Sequence, residues 1–441
     1  MDDFRYDNGV LTCEAVDLTE VAESHGTPLY VYSAQTFRDH YRRFAEAFAP
    51  LDATVCFSVK SCPNLNILRL LRKCGASFDV VSGGELARAL EAGADPGDIV
   101  FAGVGKTDTE IRSALEAGIG WFNVESPQEL DNIATIAAAM GKTARVALRV
   151  NPDVDPHTHE YTTTGKRENK FGVDIDRAAN IFREFSGRRG LELCGIHLHI
   201  GSPVNTVEPY VRAVTKVADL VRSLRQDGFD ITAINLGGGF GAHYDGSEAP
   251  PAKAYADAIV PLLWDLNCAV SLEPGRCIAA NAGVLLTRTL YTKAAGTRRF
   301  VIVDAAFTDL MRPALYGAFH FAWPVAPGER FVPQRRSADL DLPGTERVDI
   351  VGPVCESGDF LAKDRRLPPV ARGDLICVFS TGAYGFSMSS QYNSRPRPAE
   401  VLVDGDQVRV IRRRETYDDL VEAERAQAKD VGTETFESNR R

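Results

Sequence analysis

Residues 53–60 read ATVCFSVK, an apolar strand-like run that stops at a lysine, and an amphipathic helical pattern starts near Asn64. The same grammar then repeats along the chain. Strand-like runs at 77–83, 98–104, 120–126, 144–152, 191–201, 232–239 and 269–276 are separated by stretches such as GGELARALEAG and DTEIRSALEAG, each closed by a glycine suited to a helix C-terminus. Eight strands with intervening helices between residues 53 and 276 predict a (β/α)8 TIM barrel, because open doubly wound sheets usually stop at fewer strands. Beyond residue 282 the period shortens to β-type runs split by Gly, Pro and Asp.

The expected organisation is therefore an α/β chain of three parts. Residues 1–27 form an N-terminal segment that packs on the later β domain, residues 28–282 form the barrel, and residues 283–441 form a C-terminal β domain, sandwich-like or barrel-like, with a short terminal helix in TYDDLVEAERAQAK. VDGDQVRV predicts a tight hairpin, with Asp404-Gly405 supplying the positive φ angles of its turn. No internal repeat appears beyond the barrel's own alternation.

Composition narrows the partners. With 441 residues, 44% hydrophobic and 25% charged, the chain can bury large cores. A formal charge of −10 and no basic run longer than IRRRE leave no footprint for nucleic acid or an anionic membrane, so a small molecule is the expected partner. No apolar stretch approaches a membrane span, and MDDFRYDNGV is acidic where a secretory signal is basic then apolar, which gives a cytoplasmic expectation. The nine cysteines are scattered and never spaced C-x-x-C, against a disulfide framework or a zinc ribbon.

Barrel enzymes carry their chemistry at the C-terminal ends of the strands. Those ends hold Lys60, Ser82, Arg149, Asn151, His199, Gly237, Gly238, Gly239, Glu273 and Arg276. A lysine there can condense with a carbonyl of a substrate or of pyridoxal phosphate. NLGGGFG follows strand 7, where backbone amides of barrel enzymes approach phosphate, and LEPGR sets a carboxylate where, facing a pyridine nitrogen, it would keep that nitrogen protonated. GIHLHIGS places His197 and His199 on one strand face, and with HTH at 157–159 it raises a metal-dependent hydrolase as a rival. That chemistry requires further His and a terminal Asp, where strands 7 and 8 offer glycines and EPGR.

FSVKSCPNLNILRLL, FDVVSGGEL, NVESPQEL, RVNPDVDPHTHEYTTTGKRENKFG, HLHIGS, NLGGGFG, EPGR, MRPALYGAFH, GPVCESGD and TGAYGFSMSSQYNSRPRPAEVL occur in this order. Together they resemble the fold-type III pyridoxal-phosphate-dependent decarboxylases, in the branch acting on diaminopimelate. The resemblance implies pyridoxal 5′-phosphate as cofactor, meso-2,6-diaminopimelate as substrate and L-lysine and CO2 as products. It implies that Lys60 carries the cofactor, that His199 stacks on its ring and that Glu273 pairs with the pyridinium nitrogen. Ser202, Gly237, Gly238, Gly239, Gly275, Arg276 and Tyr384 would bind the cofactor, chiefly its phosphate. Arg276, Arg312, Tyr316 and Tyr384 would contact the substrate, the arginines clamping its distal carboxylate, with Glu356 at its distal ammonium and Cys355 as proton donor. Asp79, Glu85 and Arg149 would support the pocket. The resemblance further implies a homodimer in which Cys355 and Glu356 complete the partner's site.

The family's usual Tyr-Ala-x-Lys-Ala-Asn is Phe-Ser-Val-Lys-Ser-Cys here, a change in the packing around Lys60. A neighbouring reading is a relative acting on ornithine, arginine, carboxynorspermidine or a carrier-bound amino acid, and a more distant one is a non-catalytic cofactor-binding homologue. Glu356 with Arg312 and Tyr316 suits a substrate with a second ammonium and a second carboxylate. Lys60 and Cys355 are the residues that a non-catalytic homologue usually loses.

Overall fold

The structure, a computed structural model, describes residues 2–155, 170–247 and 249–425. Eight parallel strands form a closed barrel: β1 Thr54–Ser58, β2 Ser77–Val80, β3 Val100–Phe101, β4 Trp121–Val124, β5 Ala144–Asn151, β6 Leu191–His197, β7 Ala233–Asn235 and β8 Ala269–Leu272. Each pairs with the next in chain order, and β8 closes on β1 with Leu272 opposite Val55. The strands are shorter than the apolar runs that announce them, and the remaining residues of each run become the rim loops.

Alternation along the strands builds the site. Most inward positions are small or polar: Thr54, Cys56, Asn123, Ala147, Asn235 and Ser271, with Val100 and Trp121 as the larger apolar exceptions, line a cavity of about 70 Å³. The intervening Phe57, Phe78, Phe101, Phe122, Leu148, Ile196 and Ile234 are buried on the other face of the strands. One step up the same inward positions lie Ser58, Asp79, Arg149, His197 and, just past β8, Glu273, all buried. The pleat thus lifts a polar ring to the C-terminal mouth of a barrel whose phenylalanines are spent on helix packing.

The helices start where capping side chains dictate. Asn64 accepts from Asn66 N–H, Ser82 from Glu85 N–H, and Thr107 forms a reciprocal capping box with Glu110. Ser82, singled out in the sequence as a strand-end group, thereby has a structural task. Its helix, Gly83–Glu91, is followed by Gly93 at φ 85°, and Asp108–Ala117 by Gly118 at φ 75°.

The second sheet runs in the spatial order Phe360–Leu367, Glu346–Val351, Arg298–Val303, Gly283–Ala295, Leu29–Ser33, Ala399–Asp404, Gln407–Arg412, and Leu375–Val378 pairs with both Gly283–Ala295 and Ala322–Pro324. Leu29–Ser33 thus precedes the barrel in the chain but hydrogen-bonds within the later sheet, antiparallel to Gly283–Leu286 and parallel to Ala399–Val403. All five of its residues are buried, as expected of a strand covered on both faces. A small sheet of Phe4–Asp7, Val10–Cys13 and Val16–Asp17 also docks on this domain, through Leu11 N–H to Val325 O and the Tyr6 hydroxyl to Pro324 O at 2.7 Å.

The 404–407 hairpin forms, with Asp404 paired to Gln407. Its central residues are Gly405 and Asp406, one position later than the expected Asp-Gly pair, and only Gly405 takes positive φ, at 66°. Glycine alone meets that requirement without cost. The helix Tyr417–Arg425 matches the start of the expected terminal helix, whose remainder lies outside the described residues, as does the HTH of 157–159.

Candidate active site

Strand β1 ends at Ser58, and Lys60 stands on the single turn Val59–Ser61 that follows. Its Nζ donates to Asp79 Oδ2 at 3.0 Å, and the Ser58 hydroxyl donates to the same oxygen at 2.5 Å. Partial desolvation at the barrel mouth works against the Lys60 ammonium, whose side chain is still 42% exposed, but Asp79, Tyr384 and Glu273 outweigh it and raise its pKa. The Asp79 carboxyl is itself pushed up, first by burial and then by Glu273. Small residues flank the lysine because a Cβ on Gly275 would come within 2.9 Å of Ser58 Cβ and 3.1 Å of Ser61 Cβ. The Phe-Ser-Val-Lys-Ser-Cys variation therefore keeps the close approach of the β8 loop, and Ser58 adds a donor to Asp79.

The second domain grips the lysine turn on both sides. Tyr384 N–H donates to Ser61 O at 2.8 Å. Asn64 Nδ2 donates to Glu400 Oε2 at 2.8 Å, and Glu400, only 1% exposed, also accepts from the Tyr32 hydroxyl and from Arg412. A buried carboxylate satisfied by three donors is a stable anchor.

Across the barrel, Glu273 Oε1 accepts from Asn123 Nδ2 and Asn235 Nδ2, both at 2.8 Å, and His197 Nε2 lies 3.5 Å from Oε2. Burial alone would raise this carboxyl. His197 and, behind it, Lys60 and His199 outweigh that and hold it below its ordinary range. Glu273 is thus a dry carboxylate fixed in orientation and kept ionised. Asn123 and Asn235 were not visible as site residues in the sequence. Their only signal was a carboxamide at an inward position of an otherwise apolar strand. His197, read in the sequence as half of a metal pair, faces Glu273 at the end of β6, and His199 lies in the loop beyond it.

The glycine run after β7 makes the rim. A Cβ on Gly237, at φ 64°, would stand 2.2 Å from Leu198 O, and one on Gly239, at φ 105°, 2.0 Å from Gly201 O. Gly237 N–H donates to Asn235 Oδ1 at 2.8 Å and Gly238 N–H to His199 Nδ1 at 3.2 Å. Burial, followed by Arg149 and Lys60, lowers the His199 pKa, which favours the neutral ring that accepts this bond.

Arg276 extends the rim outward. Its Nε donates to the Ser202 hydroxyl at 3.1 Å, its Nη1 to the Tyr244 hydroxyl at 3.0 Å, and the Tyr384 ring lies 4.8 Å from its Cζ. Arg312 opens the short helix Arg312–Tyr316, and its Nη1 bonds His320 Nε2 at 2.9 Å. His320 Nδ1 lies 2.9 Å from Phe379 O, which requires the proton on Nδ1 and leaves Nε2 to accept from Arg312. Burial and then Arg312 push the His320 pKa down to about 3, consistent with that neutral tautomer. Tyr244 and His320 were also not identified from the sequence. Tyr316 is half-buried at the end of the same helix.

Glu85 accepts from Val81 N–H at 2.9 Å, and burial raises its carboxyl to about 7. Arg149 is bound to Glu125 at 2.8 Å with its guanidinium over Phe171. Both support the rim.

Cys355 and Glu356 do not join this constellation. They are exposed on the loop between Glu346–Val351 and Phe360–Leu367, where Cys355 N–H donates to Asn393 Oδ1 at 3.1 Å. The loop is held by Asp359, whose carboxylate accepts from Phe307 N–H and Val354 N–H, each at 2.7 Å.

Residues 34–280 match the family model of the pyridoxal-dependent decarboxylases, pyridoxal binding domain. The chain is 47% identical over 420 residues to a diaminopimelate decarboxylase of Aquifex aeolicus, covering 95% of this chain and 96% of the relative. The chain belongs to the diaminopimelate decarboxylase family. Among solved members, the Helicobacter pylori diaminopimelate decarboxylase complexed with L-lysine superposes with a TM-score of 0.87 at 40% identity, covering 93% of this chain and 99% of that one. The M. jannaschii diaminopimelate decarboxylase in complex with L-lysine gives 0.88 at 37% identity, covering 98% of each chain. The donor set suits the cofactor of a pyridoxal-dependent family: an amine on β1's turn, an ionised carboxylate across from it for a basic ring nitrogen, and a glycine loop with Ser202 and Arg276 for a phosphate.

Proposed function

We propose that this chain removes CO2 from meso-2,6-diaminopimelate to leave L-lysine, using pyridoxal 5′-phosphate. Family membership supports the reaction class, and the observation that carries the substrate is the Arg276–Arg312 pair. Both residues are 7% exposed, and among the described residues neither guanidinium is paired with a carboxylate. Two dry cations are costly unless an anion joins them. A distal carboxylate provides it, and simple diamine precursors have none.

In this reading Lys60 would be the residue that holds the cofactor, through its Nζ. When bound, pyridoxal phosphate supplies an electron sink for the pair left behind as CO2 departs. Glu273 keeps a proton on the ring nitrogen, held in line by Asn123, Asn235 and His197. His199 would contact the face of the ring. Gly239, the backbone at Gly275 and Arg276, Ser202 and Tyr384 hold the phosphate, while Gly237 and Gly238 have their amides engaged within the chain and shape the loop. Arg276, Arg312 and Tyr316 bind the distal carboxylate. Glu356 binds the distal ammonium and Cys355 returns a proton to the carbon that lost CO2, both contributed by a second copy across a two-fold interface.

CO2 release from meso-diaminopimelate by the cofactor-loaded protein, with no comparable release from L-lysine or L-ornithine, tests the assignment. Faster turnover of L-ornithine would overturn it. Arg312→Lys is expected to lower kcat/KM for diaminopimelate about a hundredfold, because the charge stays but the fork that grips a carboxylate with two parallel bonds is lost. Steady-state kinetics beside a thermal melt checks this. An unchanged kcat/KM would remove Arg312 from the site.

A further inference from the structure

Arg276 and Arg312 approach each other in a dry part of the rim, and Tyr244 lies between them. Its hydroxyl accepts from Arg276 Nη1 at 3.0 Å, and its ring lies 4.7 Å from Arg312 Cζ. The same ring meets His320, the anchor of Arg312, edge-on with centroids 5.5 Å apart and planes at 87°. One tyrosine therefore offers a lone pair to one guanidinium and a π face to the other. Burial drives its phenol toward weaker acidity, but Arg312 and Arg276 together bring it below its ordinary value, so the oxygen faces a strongly positive surrounding.

The backbone leaves the ring little room to move. His243 N–H donates to Asn281 Oδ1 at 3.3 Å, while Asn281 Nδ2 donates to His243 O at 2.7 Å and to Ser380 Oγ at 2.8 Å. Ser380 Oγ also donates to His243 O at 3.1 Å. Asn281 follows the barrel and Ser380 belongs to the second domain, so both parts of the fold fix the residue next to Tyr244.

We propose that Tyr244 is a positioning residue that sets the separation and orientation of the Arg276–Arg312 pair, and thereby the preference for ligands carrying a distal carboxylate over otherwise identical ones without it. This deepens, and rests on, the assignment of the arginines to that carboxylate. With the hydroxyl in place, Nη1 of Arg276 is fixed on Tyr244, whose ring also meets Arg312, and Arg312 is held by His320. A carboxylate arriving there meets two oriented forks. Without the hydroxyl, Arg276 keeps, among the described residues, Ser202 as its side-chain acceptor and turns away from the shared position.

The test compares L-lysine with pentane-1,5-diamine, which is lysine without its carboxylate, as ligands of the cofactor-loaded protein by calorimetry and as inhibitors of turnover. Wild type should favour L-lysine. Tyr244→Phe should weaken L-lysine about tenfold to a hundredfold and the diamine by less than about twofold, with KM for diaminopimelate rising more than kcat falls. Equal weakening of both ligands would show a merely structural role, and an unchanged preference would show an idle hydroxyl. Either result overturns the proposal. Wild type showing no preference for L-lysine would instead overturn the carboxylate assignment of the arginines, and Tyr244's part with it. Should Tyr244→Phe fail to fold, Tyr244→Leu, smaller and without an acceptor, must lose the same preference.

Discussion

Replacing Lys60 by alanine is expected to abolish covalent attachment of the cofactor and to bring decarboxylation below detection. Borohydride, which reduces an imine to a stable amine, should trap labelled cofactor on the wild-type chain and none on Lys60→Ala. The other lysines of interest are poor substitutes. Lys106 is 1% exposed in its side chain and spends its donors on Gly103 O, Asn123 O and Glu129 Oε1, at 2.9, 2.7 and 2.8 Å. Lys170 is exposed beside the Phe171 ring. Cofactor trapped on either in the variant would defeat the assignment of Lys60.

The same variant has a pH signature. Asp79 is wholly buried, and without Lys60 its carboxylate keeps, among the described residues, the Ser58 hydroxyl alone as donor. Its pKa, already raised in the folded chain, should rise further. A carboxyl raised above its unfolded value binds more protons in the folded state, so stability is greatest below the unfolded value and falls as pH climbs to the folded one. The unfolded value is common to both proteins, so the stability deficit of Lys60→Ala against wild type should widen between the raised value of Asp79 in wild type and its higher value in the variant, and level off beyond. Urea midpoints across that range read it. A deficit independent of pH would mean that Asp79 finds another cation.

The second large effect is restoration of activity from two inactive parents. Lys60 is on the barrel rim while Cys355 and Glu356 are exposed on a loop of the other domain, so a shared site predicts complementation. Lys60→Ala and Cys355→Ala chains, mixed equally and allowed to exchange, should give mixed dimers in half of the population. Each mixed dimer has one doubly damaged site and one site with both residues intact. About a quarter of wild-type activity should then return. A tagged pull-down establishes that exchange took place, and exchange without activity would mean that Cys355 serves its own chain or neither. The loop's rigidity favours a fixed role: Asp359 pins it at Val354, one residue from the thiol.

The chain order alone determined the barrel, the lysine at the end of its first strand, the glycine run after its seventh and the carboxylate after its eighth. These are local facts, written as a period of two, a helical period, and the capping and turn residues between them. The inward polar ring follows from the same period once the barrel closes. Tertiary structure alone decided what meets across distance. Asn123 and Asn235 reach Glu273 from strands 150 and 38 residues away, and nothing adjacent to either marks that destination. Leu29–Ser33 reads as a buried strand, yet only the pairing surfaces of Gly283–Leu286 and Ala399–Val403 place it in the second sheet. Tyr244 and His320 resemble ordinary loop aromatics until Arg276 and Arg312 arrive from other parts of the chain. Hydrogen bonds and charge compensation between distant segments leave no periodic trace, because their partners are chosen by folded geometry and not by spacing along the chain.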